Sequence, residues 1–191
     1  MILLLAIGFG LAATLLRSGL KHRTLKLRKL RWEWLVFLSV LPQIFVFQIP
    51  VTGRWVPEAI VPYIQIVTMI GLMIFVTGNL RVPGFWALGT GLAANFLVIV
   101  LNGGWMPISR VTLNFLTPSK PIDFWVIGTR LGLTKDYIMS VSETNLVLLS
   151  DVITLPQWFP YKFAFSFGDV FIAIGTVILL WSLSSDKEIQ K

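Results

Sequence analysis

RSGLKHRTLKLRKLRWE, residues 17–33, is the stretch whose reading decides the fold. Seven of its residues, Arg17, Lys21, Arg23, Lys26, Arg28, Lys29 and Arg31, are basic, and no acid appears until Glu33. The chain's other nine basic residues are balanced by nine acidic ones, so this stretch carries the whole formal charge of +7. It lies between two apolar runs. Basic loops between hydrophobic spans stay on the cytoplasmic side of a bilayer, so the stretch marks a membrane protein and also orients it.

Composition agrees. The 191 residues are 55% hydrophobic and only 13% charged, with a mean hydropathy of +0.80, which fits an integral membrane chain better than a soluble domain. A pI near 10.1 can signal nucleic acid, but charge gathered beside a span points to anionic lipid head groups at the cytoplasmic face. No nucleic-acid partner is expected. Cysteine is absent, which excludes disulfides and thiol chemistry, and the lone His22 excludes a multi-histidine metal or haem site within the chain. No catalytic residue, metal site or cofactor is assigned.

Outward from the basic loop, apolar runs give five expected spans, about 2–16, 34–49, 59–77, 85–101 and 169–183. The first has its positive charge after the apolar run, the reverse of a signal peptide, and reads as a permanent helix. Pro42 falls inside the second span and Pro62 in the first turn of the third, where proline is tolerated. The sequence thus predicts an all-α integral membrane protein, one domain over 1–191, with the N-terminus out and the C-terminus in. Loop 17–33 is cytoplasmic, and a long outer-face region, 102–165, joins the fourth and fifth spans. Trp34, Trp55, Trp86, Trp105 and Trp181 fall near span ends, as interface-seeking indoles do. Five prolines punctuate 102–165, so one or two interfacial helices are expected there, around Thr134–Leu149.

Two strings stand out. Asn102-Gly103-Gly104-Trp105-Met106-Pro107 follows the fourth span and reads either as a small binding surface walled by Trp105 or as helix termination; local rules favour termination. Ser166-Phe167-Gly168-Asp169 opens the fifth span as a capping box, which accounts for Asp169 without a cation or proton role shared with Asp151. Gln43, Gln65, Thr68 and Asn95 are the polar groups within the spans, and no charge lies at a span centre, which argues against pumps and ion-coupled carriers. Ala87, Gly91 and Asn95 recur every four residues, as do Gly89 and Ala93. This small-residue face is fit for close helix packing, within the chain or against a protein partner.

Taken in order, the first span with its basic loop, Asn-Gly-Gly-x-Met-Pro at 102–107, Leu149-Ser150-Asp151-Val152-Ile153, and Phe165-Ser166-Phe167-Gly168-Asp169-Val170 resemble an uncharacterised family of bacterial integral membrane proteins, known only as a domain of unknown function. The resemblance covers nearly the whole chain. It implies a multi-pass protein of the bacterial inner membrane and no chemistry. The leading expectation is therefore a non-enzymatic accessory, assembly or scaffold component, since it requires no unobserved chemistry. A small transporter or lipid-handling protein using Asn95, Gln65 and 102–107 comes second, and an outer-surface enzyme using Asp151 and Asp169 third.

Overall fold

The computed structural model describes residues 2–20, 24–25 and 29–185. Its helices are α1 (Ile2–Leu20), α2 (Trp34–Phe47), the one-turn α3 (Pro50–Gly53), α4 (Val61–Gly78), α5 (Phe85–Leu101), the short α6 (Arg110–Leu116) and α7 (Phe167–Ser182). Five of them coincide with the five expected spans. The first runs on to Leu20 because Arg17 finds a partner inside the chain. Its guanidinium lies 4.4 Å from the Trp181 ring centre and donates to the Trp181 carbonyl at 3.4 Å.

By length and composition, α1 (19 residues) and the 21 residues Glu58–Gly78 are long and apolar enough to cross a membrane. The other apolar helices, α2, α5 and α7, have 14, 17 and 16 residues. At 1.5 Å per residue they rise about 21 to 26 Å, short of a ~30 Å hydrocarbon core.

The helices share an apolar core built on Met69, Phe75, Phe85, Leu92 and Val98, and polar side chains are buried beside it while many large apolar ones face outward. Thr14, Ser39, Gln65, Thr68 and Asn95 are buried, whereas Leu4, Phe9, Leu16, Phe37, Leu38 and Val67 are each more than 60% exposed. Several of these polar groups are satisfied by one another or by the helix backbone: Gln43 Nε2 donates to Thr68 Oγ1 at 2.8 Å, and Thr14 Oγ1 donates to the Gly10 carbonyl at 2.6 Å.

Hairpin-like connections alternate the helix directions. Arg31 and Asn79 exchange two hydrogen bonds, N–H to Oδ1 at 2.9 Å and Nδ2–H to O at 3.0 Å, joining the start of α2 to the end of α4. At the same end β1 (Thr24–Leu25) pairs antiparallel with β7 (Ser184–Ser185), so α1 and α7 finish together. The tightest crossing is α5 on α7. A Cβ on Gly91 would strike the Gly168 carbonyl and the Ile172 backbone N–H, and one on Gly168 would strike the Asn95 amide and the Gly91 carbonyl. The expected small-residue stripe is therefore covered by the chain itself: Ala87, Gly91 and Asn95 face α7, and Gly89 lies against Val76 of α4. Of the two packing modes the sequence left open, Gly91 and Asn95 show the one within the chain, against α7.

The region between α5 and α7 also departs from expectation. It is not purely helical. Strands β2 (Met106–Ile108), β3 (Thr129–Arg130) and β4 (Asp136–Ile138) form a sheet in the order β2-β4-β3, β2 parallel and β3 antiparallel to β4, while β5 (Ile153–Thr154) pairs with β6 (Ala164–Phe165). Where a helix was expected at Thr134–Leu149, the chain instead forms β4, a turn and a single 3-10 turn at Val147–Leu149. Side-chain hydroxyls divert the backbone there: Ser140 Oγ donates to Glu143 Oε2 at 2.6 Å and Thr144 Oγ1 to the Ser140 carbonyl at 2.8 Å. Ile108, Leu113 and Ile138 give this cap a small apolar core of its own, flanked by Trp125 and Leu131.

Candidate functional site

The distant strings meet in one layer where the cap sits on the bundle. Helix α5 ends in a Schellman motif. Gly103, at φ +71, donates to the Val100 carbonyl at 3.3 Å, and Gly104 donates to the Ile99 carbonyl at 2.8 Å. Gly104, at φ +88, lies against Pro62 at the start of α4, where any Cβ would collide. Beyond it Trp105, Met106 and Pro107 are buried, so Trp105 is a wedge among Val46, Val61 and the stacked ring of Tyr137 (5.4 Å). Termination is the correct reading of this string. Trp105 is packed in the core and does not wall an open site.

Asn102 clamps the cap. Its Nδ2 donates to the carbonyls of Val98 (2.7 Å) and Asn145 (3.0 Å), and its Oδ1 accepts from the Asn145 N–H at 2.9 Å. Asn145 returns a bond from Nδ2 to the Leu101 carbonyl at 2.9 Å.

The capping box at α7 forms as expected, Ser166 Oγ accepting from the Asp169 N–H at 3.0 Å and Asp169 Oδ2 accepting from the Ser166 N–H at 3.1 Å. It also reaches across to α5. Asn95 Nδ2 donates to Asp169 Oδ1 at 2.8 Å, and Ser166 Oγ donates to Asn95 Oδ1 at 2.8 Å. Gly168 leaves room for the Asn95 amide. Cap and helix crossing are thus one polar cluster. Ser166→Ala removes both bonds and is expected to cost about 2 kcal/mol. Thermal unfolding in a fixed detergent measures it, with Ser119→Ala, at an exposed position, as the unaffected comparison.

Asp151 is buried, and its backbone N–H donates to the Pro107 carbonyl at 3.2 Å. Its Oδ2 accepts from Lys135 Nζ at 3.0 Å, and Lys135 also lies 3.2 Å from Asp136 Oδ1. Asp151 Oδ1 has no hydrogen-bond partner among the described residues. Burial pushes the Asp151 carboxyl up; Lys135 draws it down, Asp136 and Asp169 push it up again, and it comes to about 7. Burial alone would lower the Lys135 ammonium, but Asp151, Asp136 and Asp169 together hold it above its ordinary value. With 38% of its side chain exposed, Lys135 stays charged. Asp151 and Asp169 therefore lie within electrostatic reach of each other. Asp151 is shut in under Lys135, and both oxygens of Asp169 are bonded, so the pair does not present two free carboxylates to a substrate.

Sequence reasoning missed Lys135, Asp136 and Asn145. Only strand pairing brings Lys135 to β2, where its carbonyl accepts from the Met106 N–H at 3.1 Å. Of the residues assigned to lipid head groups, Arg17 stacks on Trp181, Arg31 lies 5.0 Å from the Trp32 ring centre and Lys29 is exposed. Lys21, Arg23, Lys26 and Arg28 lie outside the described residues.

Residues 27–181 match the model of a family described as a family of unknown function (DUF5317). The chain is also similar to an uncharacterized protein of Thermotoga maritima, 28% identical over 139 residues that make up 71% of each chain. No solved structure matches.

Proposed function

This chain belongs to the DUF5317 family of unknown function, and we propose that it is a non-enzymatic accessory, assembly or scaffold component of a bacterial cell membrane. It crosses the bilayer with about five helices, N-terminus out and C-terminus in. One observation carries the reading: around their apolar core the helices turn many large Leu, Phe and Val side chains outward while Thr14, Ser39, Gln65, Thr68 and Asn95 are turned inward, which suits lipid as the surrounding solvent and would be costly in water. Helices of 14 to 17 residues fit by local thinning of the bilayer. The chain then holds a small sheet-containing cap rigidly at the outer surface. The basic loop rests on anionic head groups inside, and a partner engages the cap rather than the small-residue face.

The transporter or lipid-handling reading keeps one observation in its favour, the buried Gln65 Oε1 without a hydrogen-bond partner. Asn95, the other amide it needs, is fully bonded to Asp169 and Ser166.

The absence of cysteine makes the topology directly testable. In intact cells an impermeant maleimide should label a Ser119→Cys variant in the cap and spare a Lys29→Cys variant until the cells are opened. Labelling of both from outside overturns the orientation. Purification in mild detergent should then recover a second protein in fixed stoichiometry; a pure monomer with catalytic turnover of its own overturns the scaffold role.

A further inference from the structure

An open cleft of about 420 Å³ separates the α3 turn from the β3–β4 hairpin, with Gly53, Arg54 and Glu58 on one side and Thr129, Arg130 and Leu133 on the other. We propose that it receives a phosphate with a neighbouring ammonium group, the chemistry of a phosphoethanolamine headgroup.

Arg130 is the fixed element. Its Nε donates to the Thr134 carbonyl at 2.7 Å and its Nη2 to the carbonyls of Leu133 at 2.6 Å and Val46 at 3.5 Å. The rings of Phe47 and Trp105 each lie 5.4 Å from its guanidinium carbon. The side chain is held in place before any ligand arrives, and its Nη1 makes no hydrogen bond among the described residues. The Arg54 side chain lines the same space with no hydrogen bond or ion pair among those residues, so two guanidinium groups offer unmatched donors to one cleft. Paired guanidinium groups suit a phosphate, whose oxygens accept several charge-assisted bonds at once.

Glu58 decides between a bare anion and a headgroup. It lines the cleft and acts electrostatically on Arg130, yet it forms no ion pair with either arginine among the described residues. A free carboxylate opposes a simple anion and suits an ammonium group a few bonds from the phosphate. The surroundings point to lipid as the source: Trp55 and Val51, beside Arg54, are 75% and 62% exposed, as expected of side chains at headgroup depth. Only this choice of source rests on the membrane reading; the site itself does not.

Calorimetry on the whole protein in detergent tests the site without a bilayer. Soluble phosphoethanolamine should bind more tightly than inorganic phosphate. Arg54→Gln should weaken both by about tenfold, the usual effect of one charge-assisted contact. Glu58→Gln should erase the preference. Both side chains are exposed and unbonded, so unchanged melting curves certify the folded variants. Equal binding by wild type and Arg54→Gln, or a wild-type preference for inorganic phosphate, overturns the proposal. In vesicles of mixed phosphatidylethanolamine and phosphatidylglycerol, enrichment of the former on the purified protein supports the lipid source. Binding of soluble ligand without enrichment supports the same site with a soluble source. Misplaced cysteine labels would overturn the membrane orientation and leave the calorimetric result standing.

Discussion

Gly91→Ala is expected to destabilise the protein by about 3 kcal/mol or more, at the upper end of what overpacking costs. The added methyl would occupy the space of the Gly168 carbonyl and the Ile172 backbone N–H. Backbone on a packed helix cannot rotate away as a side-chain tip can, so α5 and α7 must separate. Separation breaks the Asn95, Ser166 and Asp169 cluster as well, because its bonds span that crossing. Gly168→Ala should fail in the same way from the opposite helix. Gly8→Ala is the comparison, since a Cβ there meets nothing within 4 Å and alanine is the better helix former. Melting followed by circular dichroism in one detergent decides it. If the Gly91 and Gly8 variants melt together, the helices do not cross at the glycines.

Lys135→Met should cost about 3 kcal/mol at about pH 8, the low end for breaking a buried ion pair because Lys135 keeps partial exposure. The loss should shrink as the pH is lowered towards about 5. The sign follows from the carboxyl left behind. Asp151 in the folded protein titrates at about 7, above its ordinary 3.8, so between those values the folded state holds a proton that the unfolded chain gives up. The wild-type protein is therefore stabilised by this group at low pH and loses that contribution as pH rises to about 7, by at most about 1.4 kcal/mol per unit. Without Lys135 the carboxyl rises further and the decline extends to higher pH. Asp151→Asn should flatten the decline, and the double variant Lys135→Met/Asp151→Leu should recover most of the stability. Urea unfolding across this pH range measures all four proteins. A wild-type stability that climbs through the same window would show that Asp151 is ionised throughout.

Local patterns were legible wherever the deciding interactions are local. The fourth apolar run, 85–101, agrees with α5 residue for residue because Gly84, at φ +90, starts it and Asn102-Gly103-Gly104 stops it. The capping box at Ser166 and Asp169 was readable because its two bonds span three residues. Thr134–Leu149 was misread as an interfacial helix because the interactions that decide it, β2 pairing with β4 and Asn102 binding Asn145, come from residues tens of positions away.

By itself the sequence determined where the apolar helices lie, how α5 and α7 are capped, and that all net charge gathers in residues 17–33, at and beyond the end of the first of them. Hydropathy, caps and charge are properties of neighbouring residues, so no folded partner is needed to read them. Only the tertiary structure decided that the small-residue stripe is filled by α7, that Trp105 is a wedge, and that Asp151 lies under Lys135. Each of these depends on which surfaces come together after loop closure, and a packed contact between distant segments leaves no periodic trace in either one.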